Sequence, residues 1–263
     1  MKYLLVTILW ALCFSGVTQT RKIVNKSHPL AQGLNGCYVL EDGGGIALDK
    51  MGGLGSIGFL ENGASYTNTD KGVAVSFDGS NDDIKLGNDP DTRSSLAITG
   101  AITIVALIKP TDLVNYNGIL GKTGIINTNI GGTYDFYLEQ STGKPTCVRG
   151  CGCGSTQFTH FDYKVATTGV TAGVWSQVAV TCTGGNNGVM TFYTNGIING
   201  SASYSFSNAS TDANQPAYIG SRLSGVTRFK GFIKYVYIYN RALSIAEIQQ
   251  LYADPYCMFL KNE

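Results

Sequence analysis

Short segments of alternating apolar and polar residues, divided by glycine-rich turns, follow one another along most of the chain. In GTYDFYLEQ (residues 132–140) aromatic and aliphatic residues alternate with polar ones, and the pairs Asp78-Gly79 and Asn195-Gly196 separate neighbouring segments. A period of two is typical of a strand with one buried face, and Asp-Gly or Asn-Gly favours a tight hairpin turn. The pattern therefore predicts an all-β, two-sheet antiparallel sandwich of the jelly-roll type.

The last predicted strand, FIKYVYIY (residues 232–239), is apolar on both faces. Such a strand is covered on both sides, so we expect it inside a sheet and beneath another element. Lys234 in its middle is the exception that needs an explanation. Simple alternation puts Phe232, Val236 and Ile238 on one face and Ile233, Tyr235, Tyr237 and Tyr239 on the other.

A short C-terminal helix is predicted directly after this strand. Ser244 and Glu247 have the S-x-x-E spacing of a capping box, and Leu243 and Ile248 have the spacing of a hydrophobic staple. The helix should therefore run from about residue 245 to residue 252 and pack against the sandwich. Its apolar stripe consists of Ile248, Leu251 and Tyr252.

Composition supports the β assignment and narrows the range of partners. The 263 residues include 34 glycines, charged residues make up 14% of the chain, and the formal net charge is +1. A helical bundle would be richer in Glu, Lys, Leu and Ala. Because no run of Lys or Arg occurs, neither nucleic acid nor an anionic membrane surface is indicated as a partner.

The N-terminal residues differ from the rest, since Lys2 precedes an uncharged apolar stretch that continues to Thr20. This pattern is typical of a secretory signal peptide, and its length also suits an uncleaved anchor helix. We expect residues 1–20 to be a signal peptide or N-terminal apolar anchor, residues 21–33 a polar lead-in, and residues 34–257 one domain. The location expected from this is secreted or cell-surface.

Cysteine usage fits that location. Six cysteines follow the apolar segment, and an even number in an oxidising compartment favours disulfides. Cys182, which lies in an apolar strand, also fits a simple buried thiol. The six are Cys37, Cys147, Cys151, Cys153, Cys182 and Cys257.

The closing segment FKGFIKYVYIYNRALSIAEIQQLY (residues 229–252) resembles the C-terminus of LamG-like jelly-roll domains of the concanavalin A-like lectin/glucanase superfamily. The similarity continues upstream, in the order of the family, over residues 33–253. It is carried by GLNGCYVLEDGGG, VAVSFDGSNDDIKLG, LAITGAITIVALIKP, VWSQVAVT with MTFYTNG, and YIGSRLSGVTRFKG. The resemblance implies the fold, whereas many unrelated functions share it.

At one point the chain departs from the family pattern. The family usually has Ile-Asp-x-Val where this chain has IKYV (residues 233–236), and in related sandwiches the Asp often helps to hold a structural calcium ion. A lysine cannot ligate calcium, so no cofactor is predicted, and a structural calcium ion stays an open alternative. Lys234 either snorkels or pairs with a carboxylate such as Asp42, or its ammonium replaces the cation. Candidate calcium ligands are Asp42, Asp78 and Asp82.

Candidate catalytic groups are sparse. The superfamily's glucanases carry two glutamates around an aspartate on one strand, whereas the five glutamates of this chain are scattered. Glycoside hydrolysis needs two carboxyl groups roughly 5–10 Å apart. Asp135 and Glu139, four residues apart on one strand, would be about 13 Å apart. The sequence therefore predicts a non-catalytic protein.

Two non-catalytic functions remain. The first is glycan binding through the concave sheet or its rim loops, since a polar sheet face with tyrosine rings suits sugar recognition, although an ordinary solvated face has the same pattern. Its candidate residues are Asp135, Tyr137, Glu139, Gln177 and Tyr193. The alternative is a structural or adhesive module of a cell-surface or phage virion protein, because such domains occur there and the lead-in SHPLAQGL is similar to phage examples. The expected partner is thus a glycan or a cell-surface or virion protein.

Overall fold

The computed structural model shows a sandwich of two antiparallel sheets, which confirms the fold class that the alternation pattern predicts. The predicted signal segment lies outside the residues that the structure describes. The described residues are 22–51, 57–87, 95–126, 129–150, 161–185, 187–204, 216–222 and 227–260.

The first sheet, which we call the helix-side sheet, has the order β14-β13-β12-β7-β18-β5-β4, and β1 also pairs with β18. With strands numbered along the chain, it contains β1 (Leu34–Val39), β4 (Ser65–Thr69), β5 (Gly72–Asp78), β7 (Ile102–Pro110), β12 (Ser176–Cys182), β13 (Val189–Thr194), β14 (Ile197–Ser203) and β18 (Lys230–Tyr239).

The second sheet, the hairpin-side sheet, has the order β11-β10-β9-β8-β15-β6-β3-β2. Its strands are β2 (Ile46–Leu48), β3 (Ile57–Glu61), β6 (Asp83–Leu86), β8 (Asn117–Ile126), β9 (Asn129–Leu138), β10 (Pro145–Gly150), β11 (Phe161–Val165) and β15 (Ala217–Ile219). Two short strands, β16 (Ser221–Arg222) and β17 (Thr227–Arg228), pair with each other outside both sheets.

Apolar side chains fill two layers. Inward-facing residues of both sheets, such as Ile104 and Phe136, form the core between the sheets. A second cluster, with Val105 and Tyr237, lies on the outer face of the helix-side sheet. Leu30 of the predicted polar lead-in is buried in this outer layer, in a short 3-10 turn (Pro29–Ala31). Burial of apolar surface on both sides explains why the central strands β7 and β18 of this sheet carry so few polar residues.

A β-bulge in β18 corrects the simple alternation. The register of β18 against β7 shifts between Ile233 and Tyr235, so Lys234 has no partner residue in that ladder. Ile233 and Val236 therefore both face the core, whereas Tyr235 faces the outer layer. The predicted grouping of Ile233 with the tyrosines is wrong, because a bulge inserts an extra residue and shifts the alternation by one position.

The helix, α1 (Ile245–Ala253), confirms the capping prediction. The Ser244 hydroxyl accepts a hydrogen bond from the Glu247 backbone N–H, and the Glu247 carboxylate accepts one from the Ser244 N–H. Ile248 and Leu251 are buried against the helix-side sheet. Tyr252, predicted to share that stripe, is instead 49% exposed.

Disulfides are not present among the described cysteines. Cys37, Cys147 and Cys182 are buried free thiols, and Cys257 is a half-buried one. The buried-thiol alternative for Cys182 is thus the one that the structure shows, while Cys151 and Cys153 lie outside the described residues. Across the part of the chain described here, no helix combines the length and apolar character needed to span a membrane.

Candidate functional site

The predicted glycan-binding residues do not share one face. Asp135 and Tyr137 lie on β9 of the hairpin-side sheet, with Glu139 directly after that strand. Gln177 and Tyr193 lie on β12 and β13 of the helix-side sheet. The prediction that these residues form one polar sheet face is wrong, because β12 pairs with β7 and β13 on the other side of the core from β9.

The hairpin β16–β17 covers the Tyr137 group. The Arg222 guanidinium lies 3.9 Å from the centre of the Tyr137 ring and 5.4 Å from that of Tyr116. Gly118 of β8 allows this approach, since a Cβ there would lie 2.8 Å from the Arg222 backbone nitrogen. Tyr137 is only 5% exposed, and burial raises the pKa of its hydroxyl. The chain's own arginine therefore occupies the ring face that a sugar would need.

The other two members of this group are also engaged within the protein. The Tyr137 hydroxyl donates to a Glu139 carboxylate oxygen at 3.2 Å. Asp135 is 1% exposed, and a Cβ on Gly121 would lie 2.7 Å from its Oδ1. Closed packing of this kind leaves little room for a ligand on the outer face of β9.

A cavity of about 330 Å³ opens on the other side of the molecule, beside the C-terminal end of α1. It combines aromatic, amide and ammonium groups, and no Asp or Glu belongs to its lining. The lining residues on which its chemistry depends are Lys71, Trp175, Gln177, Lys234, Tyr252 and Tyr256. Concave sites with aromatic walls and a few polar groups are the usual form of a small-ligand pocket.

Gln177 is the polar centre of this cavity. Its side-chain NH₂ donates to the Tyr235 hydroxyl and to the Leu251 carbonyl, both at 3.0 Å, while its Oε1 has no hydrogen-bond partner. The Tyr256 hydroxyl is likewise buried without a partner. An unsatisfied buried polar group costs about 1–3 kcal/mol, so a ligand hydroxyl would gain a favourable hydrogen bond once a side-chain rotation turned either atom toward the cavity.

A hairpin turn holds Gln177 and Tyr252 in place. The Gln177 backbone N–H donates to Asn195 Oδ1 at 2.9 Å, and the Asn195 N–H donates to the Gln177 carbonyl at 2.8 Å. Asn195 and Gly196 both have positive φ, as a tight turn requires. A Cβ on Gly196 would lie 3.1 Å from the Cβ of Tyr252, so the turn supports the last turn of α1.

Aromatic rings form the walls. The Trp175 Nε1–H donates to Asp70 Oδ1 at 2.8 Å, which fixes the indole at the rim. Tyr235 stacks on Tyr237 with centroids 4.8 Å apart, and burial raises the pKa of Tyr235 so that its hydroxyl stays neutral. Tyr252 remains half exposed at the opposite rim. Rings held in this manner present flat apolar faces to a ligand.

Lys234 lies in the wall beside Tyr235 and does not pair with Asp42. Its Nζ donates to the Val73 carbonyl at 2.9 Å, and burial lowers the pKa of this ammonium, partly offset by the nearby Glu41. Lys50, which the sequence did not single out, forms the buried ion pair with Asp42. The interpretation in which Lys234 neutralises Asp42 is therefore wrong, because Lys50 already occupies that carboxylate.

The other candidate calcium ligands stabilise a turn. Asp78 Oδ1 accepts from the Ser80 N–H at 2.7 Å, and Asp82 Oδ2 accepts from the Asp78 N–H at 2.9 Å. These backbone bonds hold the pKa of Asp78 below its usual range, whereas burial raises that of Asp82. The described residues contain no group of three or more His, Cys, Asp or Glu side chains arranged to hold a metal.

The sequence analysis identified Gln177 as a ligand-binding candidate and singled out Lys234 for another reason, but it did not bring these two residues together. Trp175 lies one position before β12, and an aromatic residue so close to Gln177 could have indicated that it belongs to the same site. Lys71 is far along the chain from Tyr252 and Tyr256, and nothing in the local sequence indicates that they meet.

The two-sheet antiparallel sandwich defines a domain of the jelly-roll class. The chain belongs to the concanavalin A-like lectin/glucanases superfamily, whose laminin G-type family model matches residues 78–249. This confirms the resemblance noted in the sequence. A search of curated proteins finds no significant match.

Solved structures with the same fold include domains that contact carbohydrate. Domain 4 of an extracellular arabinanase from Geobacillus stearothermophilus, in complex with arabinotriose, has a TM-score of 0.59 at 18% identity, over 83% of this chain and 97% of that one. The CBM40 domain of a Ruminococcus gnavus IT-sialidase, bound to sialyllactose, has a TM-score of 0.54 at 17% identity, over 68% and 94%. At these identities the likeness shows the fold alone.

Larger proteins contain the same fold as one part. Trypanosoma rangeli sialidase, in complex with sialic acid, has a TM-score of 0.56 at 16% identity. The match covers 86% of this chain but 34% of that chain. The botulinum neurotoxin serotype G binding domain has a TM-score of 0.59 at 14% identity, over 84% of this chain and 50% of that one. This chain therefore spans between a third and a half of these two longer structures.

Proposed function

We propose that the protein is a non-catalytic glycan-binding module and that the cavity beside α1 is its binding site. The observation that carries this proposal is the meeting of exposed aromatic faces with two unsatisfied buried polar atoms, Gln177 Oε1 and the Tyr256 hydroxyl, in one cavity. Sugars present apolar C–H faces and many hydroxyls, so they match both features at once. The arabinotriose-bound and sialyllactose-bound domains of the same fold support a carbohydrate ligand.

The composition of the cavity supports a binding role without hydrolysis. Glycoside hydrolysis uses two carboxyl groups on either side of the scissile bond. None of the residues that line the cavity is Asp or Glu. On the other outer face, Asp135 is buried and Glu139 accepts the Tyr137 hydroxyl. In this proposal the module acts outside the cell, because Lys2 and the apolar residues after it are typical of a secretory signal.

A glycan array followed by titration calorimetry tests the site. Tyr252→Ala removes a half-exposed ring from the rim, and we expect it to weaken binding of any array hit by about tenfold, which corresponds to about 1.4 kcal/mol. Tyr163→Ala is the matched control, since Tyr163 is 61% exposed on β11 of the other sheet. The control should leave the affinity unchanged.

Three results would count against the proposal. A blank array would favour the structural or adhesive role in a cell-surface or virion protein. Hits that respond to Tyr163→Ala but not to Tyr252→Ala would move the site to the hairpin-side sheet. Release of reducing sugar from a bound polysaccharide would overturn the non-catalytic assignment.

A further inference from the structure

We propose that the cavity selects sugars that carry a carboxylate, and that Lys71 and Lys234 are the residues that make the selection. This inference rests on the proposed function, since it names the class of glycan that the same site takes. Uronic acids and sialic acids share the required chemistry, namely a ring with hydroxyls and one ionised carboxyl group.

The charged residues in the cavity lining are all of one sign. Two lysines and no carboxylate belong to its lining. The nearby acids are already engaged by lysines that are not part of the lining, because Lys22 pairs with Glu41 at 2.8 Å and Lys109 pairs with Asp70 at 3.2 Å. The cavity is therefore positive, although the whole chain has a formal net charge of only +1.

The β-bulge in β18 places Lys234 in the wall of the cavity. Without it, alternation would separate Lys234 from Tyr235, which it adjoins at the cavity. Bulges re-aim side chains and are enriched next to functional sites. The lysine is 9% exposed, and a buried ammonium is costly unless it is paired. Within the protein its recorded hydrogen bond is to the neutral Val73 carbonyl.

The two ammonium groups of the cavity have hydrogen-bond donors available for a ligand. An ammonium has three donors, so one bond from Lys234 to Val73 leaves two for a ligand. Lys71 lies in the turn that leads into β5, two residues before Val73, and its backbone N–H is fixed by Thr69 Oγ1 at 3.2 Å. Lys71 and the Lys234 ammonium, which comes from β18, thus lie at the same end of the β4–β5 hairpin, where a carboxylate can meet them together.

The remaining groups suit the rest of an acidic sugar. With its carboxylate bound by the lysines, the ring would pack on an aromatic wall residue such as Tyr252. Its hydroxyls would then lie near Gln177 and Tyr256, whose oxygens lack partners. A neutral sugar keeps the ring and hydroxyl contacts but loses the charge-assisted hydrogen bonds, which are about twice as strong as neutral ones.

Titration calorimetry on the full chain tests the charge requirement with matched ligand pairs. Trigalacturonic acid is compared with its methyl ester, and sialyllactose with its carboxyl methyl ester, so that each pair differs in the carboxylate and the two arms separate the two sources. We expect at least one acid to bind tenfold or more tightly than the neutral ligand of its pair. The affinity for the acid should fall with added salt.

Three variants assign that preference to residues. Lys71→Met, at an exposed turn, should weaken the acid by about tenfold and the neutral sugar little, and Lys234→Met should do the same. Lys85→Met on β6 of the other sheet is the control and should change neither affinity. Because Lys71 is exposed, its variant keeps the test decisive even if Lys234→Met fails to fold.

The outcomes separate the two proposals. Equal affinities for the acid and for the neutral ligand of its pair, both weakened by Tyr252→Ala, would overturn the carboxylate preference and leave glycan binding in place. An acid preference that survives Lys71→Met and Lys234→Met would also overturn it. No binding of any of the four sugars, together with a blank array, would overturn the proposed function itself.

Discussion

At the scale of single residues, two buried lysines differ in the group that their ammonium contacts. Lys50 has a 2% exposed side chain and forms an ion pair with Asp42, whose side chain is 8% exposed. Lys234 is also largely buried, and it reaches a backbone carbonyl. Removal of one partner from a buried ion pair leaves an uncompensated charge, whereas removal of a lysine from a neutral acceptor does not.

Substitution of each lysine by methionine should separate these cases. Lys50→Met leaves the Asp42 carboxylate unpaired and should lower the free energy of unfolding by about 3–5 kcal/mol. Lys234→Met loses one hydrogen bond and should cost less than about 1.5 kcal/mol. Urea denaturation measures both. The double variant Lys50→Met with Asp42→Asn should recover part of the loss, and equal costs for the two single variants would contradict the assignment.

The stability of the protein should not depend on calcium, because each candidate calcium ligand is already engaged within the protein. Asp42 is neutralised by Lys50, and Asp78 and Asp82 accept backbone N–H groups of their own turn. Thermal melts in EDTA and in millimolar calcium should therefore coincide. A site filled at a hundred times its Kd would add about 2.7 kcal/mol, so a calcium-dependent rise in Tm would show that this carboxylate network rearranges to bind the ion.

At the scale of elements, the parts that follow from local sequence were predictable and those that depend on tertiary contacts were not. The helix was recognisable because Ser244 and Glu247, three positions apart, encode its cap. The bulge at Lys234 was not, because a register shift is set by the facing strand β7. The hairpin β16–β17 was missed because its two-residue strands carry no periodicity, and Gly118 gives no sign of the backbone that it accommodates.

The helix cap makes a pH-dependent contribution to the free energy of unfolding, and the variant Glu247→Gln isolates it. Arg241 donates to both Glu247 oxygens, at 2.6 and 3.0 Å, and this hydrogen-bonded pairing holds the pKa of Glu247 below its usual range. A depressed carboxyl pKa stabilises the fold above the unfolded pKa, and this stability is lost as pH falls through the folded pKa. Glutamine keeps the capping geometry, so the variant removes mainly the charge.

We expect Glu247→Gln to lower the free energy of unfolding at neutral pH by about 0.5–1 kcal/mol, because this partly exposed pair is screened by solvent. The difference from the unmodified protein should shrink as the pH falls below about 4, where glutamate is protonated in the unfolded chain. Denaturation curves across this range measure it. A difference that stays constant with pH would assign the effect to packing instead.

At the scale of the whole molecule, the two sheets meet through a core that contains a pair of thiols. Cys147 of β10 and Cys182 of β12 belong to opposite sheets and are both buried in the core between them. The neighbouring Cys182 thiol and burial raise the pKa of Cys147 well above its usual value. The thiolate is the reactive form, and both sulfurs are shielded, so reaction requires the sheets to separate.

Alkylation of Cys147 and Cys182 should therefore report global unfolding. Peptide-level mass spectrometry should find both unmodified by iodoacetamide in the native state and modified together at the denaturant concentration of the main transition. Cys257, which is half buried, is the internal comparison and should react earlier. Independent modification of Cys182 at low denaturant would show that β12 opens locally.

The cavity beside α1 combines one half-exposed ring with tightly packed surroundings. Gln177 and Lys234 are anchored within the helix-side sheet, and Met258 and Phe259 near the C-terminus are buried in the outer apolar layer of that sheet. Exchange of the residues after Asp254 would therefore disturb the fold, whereas exchange of Tyr252, which is 49% exposed, would alter the ligand-facing surface while the strands beneath it stay the same. This one position is thus a natural place for diversification, where new specificities can arise by drift or by design at little risk to folding.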